Sequence, residues 1–279
     1  MSTLVCPNCE NPLSDSGNKS YSCELNHSFD LSKEGYLNLL AVNQKKSKSP
    51  GDNEMMVAAR RDFLELGHYS PLIESLITTI KEELTFANKK PIVLDAGCGE
   101  GYYSEHVLNK VIGFTNQIIG TDISKSAIRS AAKKYKDNFY FVSSVYNLPI
   151  AVQSINLILS IFSPIHPEEF QRVLSKDGYI IVVSPAENHL KELAELIYDN
   201  FRPHKEGIEE KMHNCFQTYC TKRTTFSIQL KEPETLLNLL KMTPYYWTAS
   251  QERLEKLKRC EDISITCDFN IAVFKAIQQ

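Results

Sequence analysis

The sequence predicts an α/β fold: a doubly wound, mostly parallel seven-stranded sheet with helices on both faces, preceded by a small metal-braced module. Three observations carry this reading. Short apolar runs alternate with helical stretches from residue 92 onward, the first of those runs ends in a glycine-rich turn, and Cys and His pairs crowd the N-terminus. A chain of 279 residues is long enough for one full α/β domain with its own core plus a small appendage. The expected division is a zinc-binding module over residues 1–37, a basic linker and helical connector over 38–88, and the α/β domain over 89–279.

In the first segment, Cys6-x2-Cys9-x13-Cys23-x3-His27 supplies three thiols and an imidazole in two close pairs. That is the ligand set and spacing of a closed tetrahedral zinc site. Four protein ligands leave no open position for water or substrate, and so short a segment has too little apolar matter to fold without a metal, so the predicted Zn2+ is structural. The chain has 8 cysteines. The start of the sequence lacks the basic and apolar regions of a signal peptide, so a cytoplasmic location is expected, where thiols stay reduced. Cys98, Cys215, Cys220, Cys260 and Cys267 follow no paired ligand spacing and read as packing residues.

Composition narrows the function classes. A formal net charge of −3 provides no global positive field for nucleic acid or anionic lipid, so any RNA contact must come from local patches. No apolar run approaches the roughly 18 residues of a membrane span, and no membrane partner is expected.

The stretch Asn43 to Asp52, with Lys45-Lys46-Ser47-Lys48 and a closing Pro50-Gly51, reads either as a phosphate-contacting arm or as a solvated linker. From Glu54 to Phe86 the apolar positions recur at three and four, which predicts two helices broken by Gly67-His68-Tyr69-Ser70-Pro71. Five strands of a parallel sheet are expected at 92–94, 117–120, 139–142, 155–161 and 179–183. The tail predicts a long helix from Leu190 to Phe201, then strands at 225–230 and 270–276 flanking a helix over 234–241.

The turn after the first strand reads Asp95-Ala96-Gly97-Cys98-Gly99-Glu100-Gly101. Glycines there let backbone approach a ligand closely, and the following helix points its N–H groups at it. A dinucleotide fingerprint needs Gly or Ala at position 102, where this chain has Tyr102. The spacing Asp-x-Gly-x-Gly-x-Gly instead resembles motif I of the class I S-adenosylmethionine methyltransferases, which implies a Rossmann-like domain whose glycine loop bends around a methionyl group. Asp122 ends the second strand where a carboxylate can accept both ribose hydroxyls; alternatively it or Ser124 caps the next helix. Ser143-Ser144 and Asn147-Leu148-Pro149 fall where that family meets adenine. Ser160-Ile161-Phe162-Ser163-Pro164 lacks the Asn/Asp-Pro-Pro-Tyr/Phe sequence of many amino-group methyltransferases, so an exocyclic amine is less favoured as target.

From end to end the chain resembles a narrower family, the bacterial 23S ribosomal RNA (guanine-N1)-methyltransferases. The resemblance is carried by the zinc ligands, by Lys33-Glu34-Gly35-Tyr36-Leu37-Asn38-Leu39-Leu40 and by Pro50-Gly51-Asp52 with Ala59-Arg60-Arg61. It continues in Gly67-His68-Tyr69-Ser70-Pro71-Leu72, Gly97 to Tyr103, Met242-Thr243-Pro244 with Trp247, and Asp268-Phe269-Asn270-Ile271. It implies methyl transfer from S-adenosylmethionine to N1 of a guanine in a hairpin loop of 23S RNA, and a homodimer would be in keeping with it. It also implies a cofactor site including Tyr69, Gly101-Tyr102 and His189, to be added to Asp95, Gly97, Gly99 and Asp122. Read from the residues alone, Tyr69 is a core aromatic and His189 a helix-start residue bonded to backbone. No catalytic base can be named from the sequence. Tyr245, Tyr246 and Trp247 are either base-stacking residues or ordinary packing, and Arg60-Arg61 either grip RNA or are surface helix charges. The competing reading is a small-molecule methyltransferase with the zinc module as lid or dimer contact.

Overall fold

The computed structural model describes residues 3–41, 44, 50–86, 90–111, 117–199, 201–205 and 207–277. The basic run Lys45 to Lys48 lies outside them. Three short strands, β1 (Ser14–Gly17), β2 (Ser20–Ser22) and β3 (Ser28–Asp30), pair antiparallel as a small sheet of their own. Then come β4 (Leu37–Asn38) and two helices, α1 (Glu54–Glu65) and α2 (Ser70–Glu83). An alternating run follows: β5 (Ile92–Ala96), α3 (Tyr102–Asn109), β6 (Gln117–Asp122), α4 (Lys125–Lys134), β7 (Phe139–Val142), β8 (Ile155–Ile161), α5 (Pro167–Val173) and β9 (Leu174–Pro185). The chain closes with α6 (Lys191–Ile197), α7 (Ile208–Met212), β10 (Phe216–Leu230), α8 (Pro233–Lys241), α9 (Tyr245–Thr248), α10 (Gln251–Leu257) and β11 (Ile263–Ala276). Among the described residues no helix is long and apolar enough to cross a membrane.

The main sheet runs β10-β11-β9-β8-β5-β6-β7-β4. Pairs from β9 across to β4 are parallel, and β11 joins β9 and β10 antiparallel. The parallel strands β5, β7, β8 and β9 are largely buried on both faces, which is why they read as continuous apolar runs. Val93, Leu157, Ile181 and Val273 share one core with α1, α2, α3, α6, α8 and α10. Their neighbours Leu94, Ile158, Ile180 and Phe274 face the other core, with α5, α7 and the N-terminal module. From β5 the chain winds outward through β6 and β7, then crosses back to β8 and β9. The reversal leaves a crevice beyond the carboxyl ends of β5 and β8, where α/β sheets bind ligands.

The sheet has eight strands rather than seven. The extra strand, β4, is only Leu37–Asn38, too short to give a periodicity, and it pairs with β7 through Leu37 opposite Phe141. It ties the N-terminal module to the sheet edge, together with Val5 N–H to the Pro149 carbonyl at 3.0 Å, Ala151 N–H to the Thr3 carbonyl at 2.9 Å, and an Arg129–Glu34 ion pair at 2.9 Å. The helix expected over 190–201 is also shorter. Leu190 is left-handed at φ 55°, so α6 starts after it, and Tyr198 leaves the helix in extended backbone. β10 is longer than expected at its polar end, because an edge ladder is held by backbone pairing that polar side chains do not interrupt, and β11 runs back to Ile263 along it with Ile265, Cys267 and Phe269 buried.

Candidate functional site

The glycine turn is held by the neighbouring strand. The N–H groups of Gly97 and Cys98 both donate to the Thr121 carbonyl, at 2.8 and 2.9 Å. Gly97 has φ +85°, and a Cβ there would stand 2.3 Å from the Ser163 Cβ, so only glycine fits. Ser163 follows β8, and its hydroxyl donates to the Ala96 carbonyl at 2.6 Å, locking the two strand ends together. Asp122, at the end of β6, accepts from Gly99 N–H at 3.0 Å and from Ser124 N–H at 2.8 Å. Burial pushes its carboxyl up, while these two N–H groups pull it down. Ser124 caps α4 with its hydroxyl, so of the two capping candidates Ser124 makes the cap.

A cavity of about 370 Å³ opens over this turn, lined by Gly97, Cys98, Gly99, Asp122, Ser144 and Phe162 among others. Two buried polar atoms on its wall have no hydrogen-bond partner: Oε1 of Glu100 and the hydroxyl of Tyr103. Burial pushes the Glu100 carboxyl up to about 7, against the pull of the Arg60 guanidinium. Buried polar groups are rarely left unsatisfied, so these atoms mark a wall built for a polar ligand. An S-adenosylmethionine molecule fits the donor set. The Asp122 carboxylate at one end suits ribose hydroxyls, and the opposite charges of Arg60 and Glu100 suit an amino acid.

A second cavity, about 530 Å³, adjoins the first and shares Arg60, Phe162, Ser163, Pro164 and Met242 with it. Tyr69, His189, His204, Lys211 and Tyr245 line it. His189 is buried, its ring 4.5 Å from that of Phe269, and its Nδ1 accepts from Asp268 N–H at 3.3 Å. That bond leaves the proton on Nε2. Burial, with His204 nearby, pushes the His189 imidazole down to about 3. His204 Nε2 lies 3.1 Å from the Tyr245 hydroxyl, and burial lowers this imidazole too. Beneath them Asp268 accepts from Arg223 at 2.8 and 2.6 Å and from Thr225 at 2.8 Å, and the Arg223 bonds hold its carboxyl down at about 2.

Of the sequence-predicted residues, Gly97, Gly99 and Asp122 meet in the first cavity, and Tyr69 and His189 in the second. The others lie behind the turn. Asp95 takes a hydrogen bond from the Ser104 hydroxyl, burial pushing its carboxyl up to about 7. A Cβ on Gly101 would meet the Tyr140 hydroxyl at 2.7 Å and α4 at Ala131, 3.2 Å away. Tyr102 packs edge-on against Tyr103 and beside His106. Sequence reasoning did not single out Glu100, Tyr103, His204 and Lys211, and left Arg60 as either an RNA contact or a surface helix charge. Its side chain is only 22% exposed, paired with Asp52, on the wall between the cavities. The one available signal was the position of Glu100 and Tyr103 inside the glycine turn and its helix. Trp247 is 58% exposed and packs on Tyr246, while Tyr245 turns inward to the second cavity.

In the N-terminal module, the ligand atoms of Cys6, Cys9, Cys23 and His27 all lie within 4.8 Å of one another. Cys6 Sγ and Cys23 Sγ each stand 3.5 Å from His27 Nδ1, and Cys9 Sγ is 3.6 Å from Cys23 Sγ. Those are edges of a tetrahedron around one ion with Zn–S near ~2.3 Å. The four residues fit a Zn2+ ion held structurally through Sγ and Nδ1.

Comparison with known proteins bears on both parts. Residues 4–48 match the zinc-ribbon family described as RlmA, N-terminal, and residues 87–241 match a methyltransferase domain. A putative 23S rRNA (guanine-N1)-methyltransferase of Bacillus subtilis, YxjB, is 31% identical over 98% of this chain and 96% of its own length. The 23S rRNA (guanine(748)-N1)-methyltransferase of Streptomyces fradiae is 30% identical over 96% of this chain and 95% of its own. The solved complex of the Haloferax volcanii Trm112 methyltransferase activator with a putative methyltransferase matches in fold with a TM-score of 0.50 at 17% identity, covering 82% of this chain and 100% of that one.

Proposed function

This chain belongs to the family of the 23S rRNA (guanine-N1)-methyltransferases, and we propose that it transfers the methyl group of S-adenosylmethionine to N1 of a guanine in a 23S rRNA hairpin loop. The observation that carries the reading is the pair of adjoining cavities. One has a ribose-ready carboxylate and orphaned polar atoms; the other is aromatic, and they meet at Phe162, Ser163 and Pro164. Gly97, Gly99, Asp122, Ser144 and Arg60 would hold the cofactor in the first, Asp122 and Ser144 suiting its adenosine and Arg60 its carboxylate. Tyr69 and His189 close its methyl end. The bound cofactor supplies an activated sulfonium methyl.

The acceptor base enters the second cavity. N1 lies on the pairing edge, so the guanine must be splayed out of its loop, and Phe162, Tyr245 and Pro164 offer faces for it to stack on. Guanine N1 carries a proton at neutral pH, and its loss throws charge onto O6. No carboxylate lines this cavity among the described residues. His204, held neutral by burial, is the group there that accepts the N1 proton; the Nε2–H of His189 and the Lys211 side chain donate to O6. Alignment of methyl and N1 then supplies most of the acceleration.

The test is transfer of labelled methyl to unmodified 23S rRNA, followed by digestion to nucleosides. Label in 1-methylguanosine supports the reading. Label in small metabolites with none in the RNA moves the assignment to a small-molecule methyltransferase.

A further inference from the structure

We infer that Phe162 determines which acceptors the larger cavity takes: its ring is the platform on which the target purine stacks, and a left-handed backbone holds that ring on the wall between the two cavities. The inference rests on the reading of the larger cavity as the acceptor site. It singles out one of the three faces on that wall, and it makes a planar nucleobase, not a saturated small molecule, the acceptor that fits.

Phe162 directly follows β8 and has φ 54°. A bulky side chain in that region crowds the backbone carbonyl that follows it, and only glycine, asparagine and aspartate visit it readily. Among the described residues no other aromatic has such a backbone. Leu190 shares it at φ 55° but is fully packed, and its burial offsets the strain, whereas Phe162 is 41% exposed. Its neighbours hold it in place. The Phe162 N–H donates to the Val183 carbonyl of β9 at 3.1 Å, and Ser163 is tied through its hydroxyl to the Ala96 carbonyl at the end of β5. Strain of this kind persists only where the surroundings over-determine it, and it gathers at ligand sites.

The ring lines both cavities. Around it stand Phe269 at 5.4 Å, Tyr103 at 6.1 Å and His189 at 6.3 Å between ring centroids, the His189 plane only 14° from its own. This aromatic bed fixes the ring without covering it. Pro164 has no π system, and the Tyr245 hydroxyl is tied to His204, which leaves Phe162 as the ring on the shared wall. Every nucleobase has a π-face, so such a ring gains stacking with a base that it cannot gain with a saturated acceptor. Stacking is tolerant of base identity, so the choice of guanine falls to the groups at its edge, His189, His204 and Lys211.

The experiment measures methyl transfer from labelled S-adenosylmethionine to unmodified 23S rRNA by the full chain and by Phe162→Leu and Phe162→Tyr, with S-adenosylhomocysteine binding measured alongside. A wild-type chain that labels no RNA overturns the acceptor reading, and the inference with it. If wild type labels RNA, Phe162→Leu, apolar but without a π-face, is expected to lower kcat/KM for RNA at least tenfold. Phe162→Tyr, which keeps the face, should stay within threefold of wild type, and S-adenosylhomocysteine affinity should change less than threefold in both. Equal losses in the two variants mean that the ring only packs the wall, and no loss in Phe162→Leu means that it does not meet the base; either result overturns the inference while the acceptor reading stands. If Phe162→Leu does not fold, Phe162→Asn, whose side chain tolerates the left-handed backbone, takes its place with the same expected loss. Urea unfolding checks the strain: Phe162→Gly should have a higher midpoint than Phe162→Ala, the reverse of the order at an extended or helical position. A lower midpoint for Phe162→Gly overturns the backbone part of the inference.

Discussion

Residue by residue, the site depends on groups whose surroundings set their chemistry. Asp268 is buried, and its carboxylate accepts from Arg223, Thr225 and the Asn188 N–H, which holds it at about 2 against an ordinary 3.8. A carboxyl depressed in the folded state stabilises above its unfolded value, and that stability is lost as pH falls through the folded one. Asp268→Asn should therefore be less stable than wild type by about 2 kcal/mol at pH 7. The gap should close between about pH 4 and pH 2, where the wild-type carboxyl also takes up its proton. Urea unfolding of both proteins across that range checks this; a gap that persists at pH 2 contradicts it. Such a role could not be read from residue type. Asp268 meets Arg223 across a strand ladder, 45 positions apart in sequence. The surroundings of Arg60 were hidden for the same reason: its partner Asp52 sits in the preceding segment and its neighbour Gly99 beyond an intervening helix and strand. Gly97, Gly99, Asp122 and the zinc ligands were legible because glycine and metal chemistry allow few substitutes at fixed spacing.

At the level of elements, periodicity did most of the work where burial is one-sided or complete. α1 and α2 show their apolar stripes and break at residues 66–69, and the parallel strands are apolar on both faces. β4 was invisible because two residues cannot show a period, and the polar end of β10 was hidden because its outward side chains face solvent at the sheet edge. The N-terminal strands β1 to β3 are mostly exposed or half-buried and have little core of their own. Their order should depend on the zinc ion. Removing it with a strong chelator is expected to raise amide exchange at least tenfold across residues 3–31, leave the parallel sheet protected, and change S-adenosylhomocysteine affinity less than twofold. Transfer to RNA should fall more than tenfold. Unchanged exchange in β1 to β3 would show that the module folds without metal.

For the whole molecule, topology places the chemistry. Winding that reverses between β5 and β8 opens one crevice, and the turns after those strands divide it into a cofactor side and an acceptor side. The zinc module docks at the far edge of the same sheet through β4 and β7, which fixes its place relative to the crevice. With a net charge of −3, recognition must come from such local geometry and not from a global field. The central claim is that these two cavities pass a methyl group to guanine N1 in one RNA loop. Its most direct test is reverse transcription of 23S rRNA after incubation with this protein and S-adenosylmethionine, because N1 methylation blocks base pairing and halts the polymerase. The account predicts one new stop at a hairpin-loop guanine, absent without the methyl donor. Full extension of RNA treated with a chain that binds S-adenosylhomocysteine would contradict it.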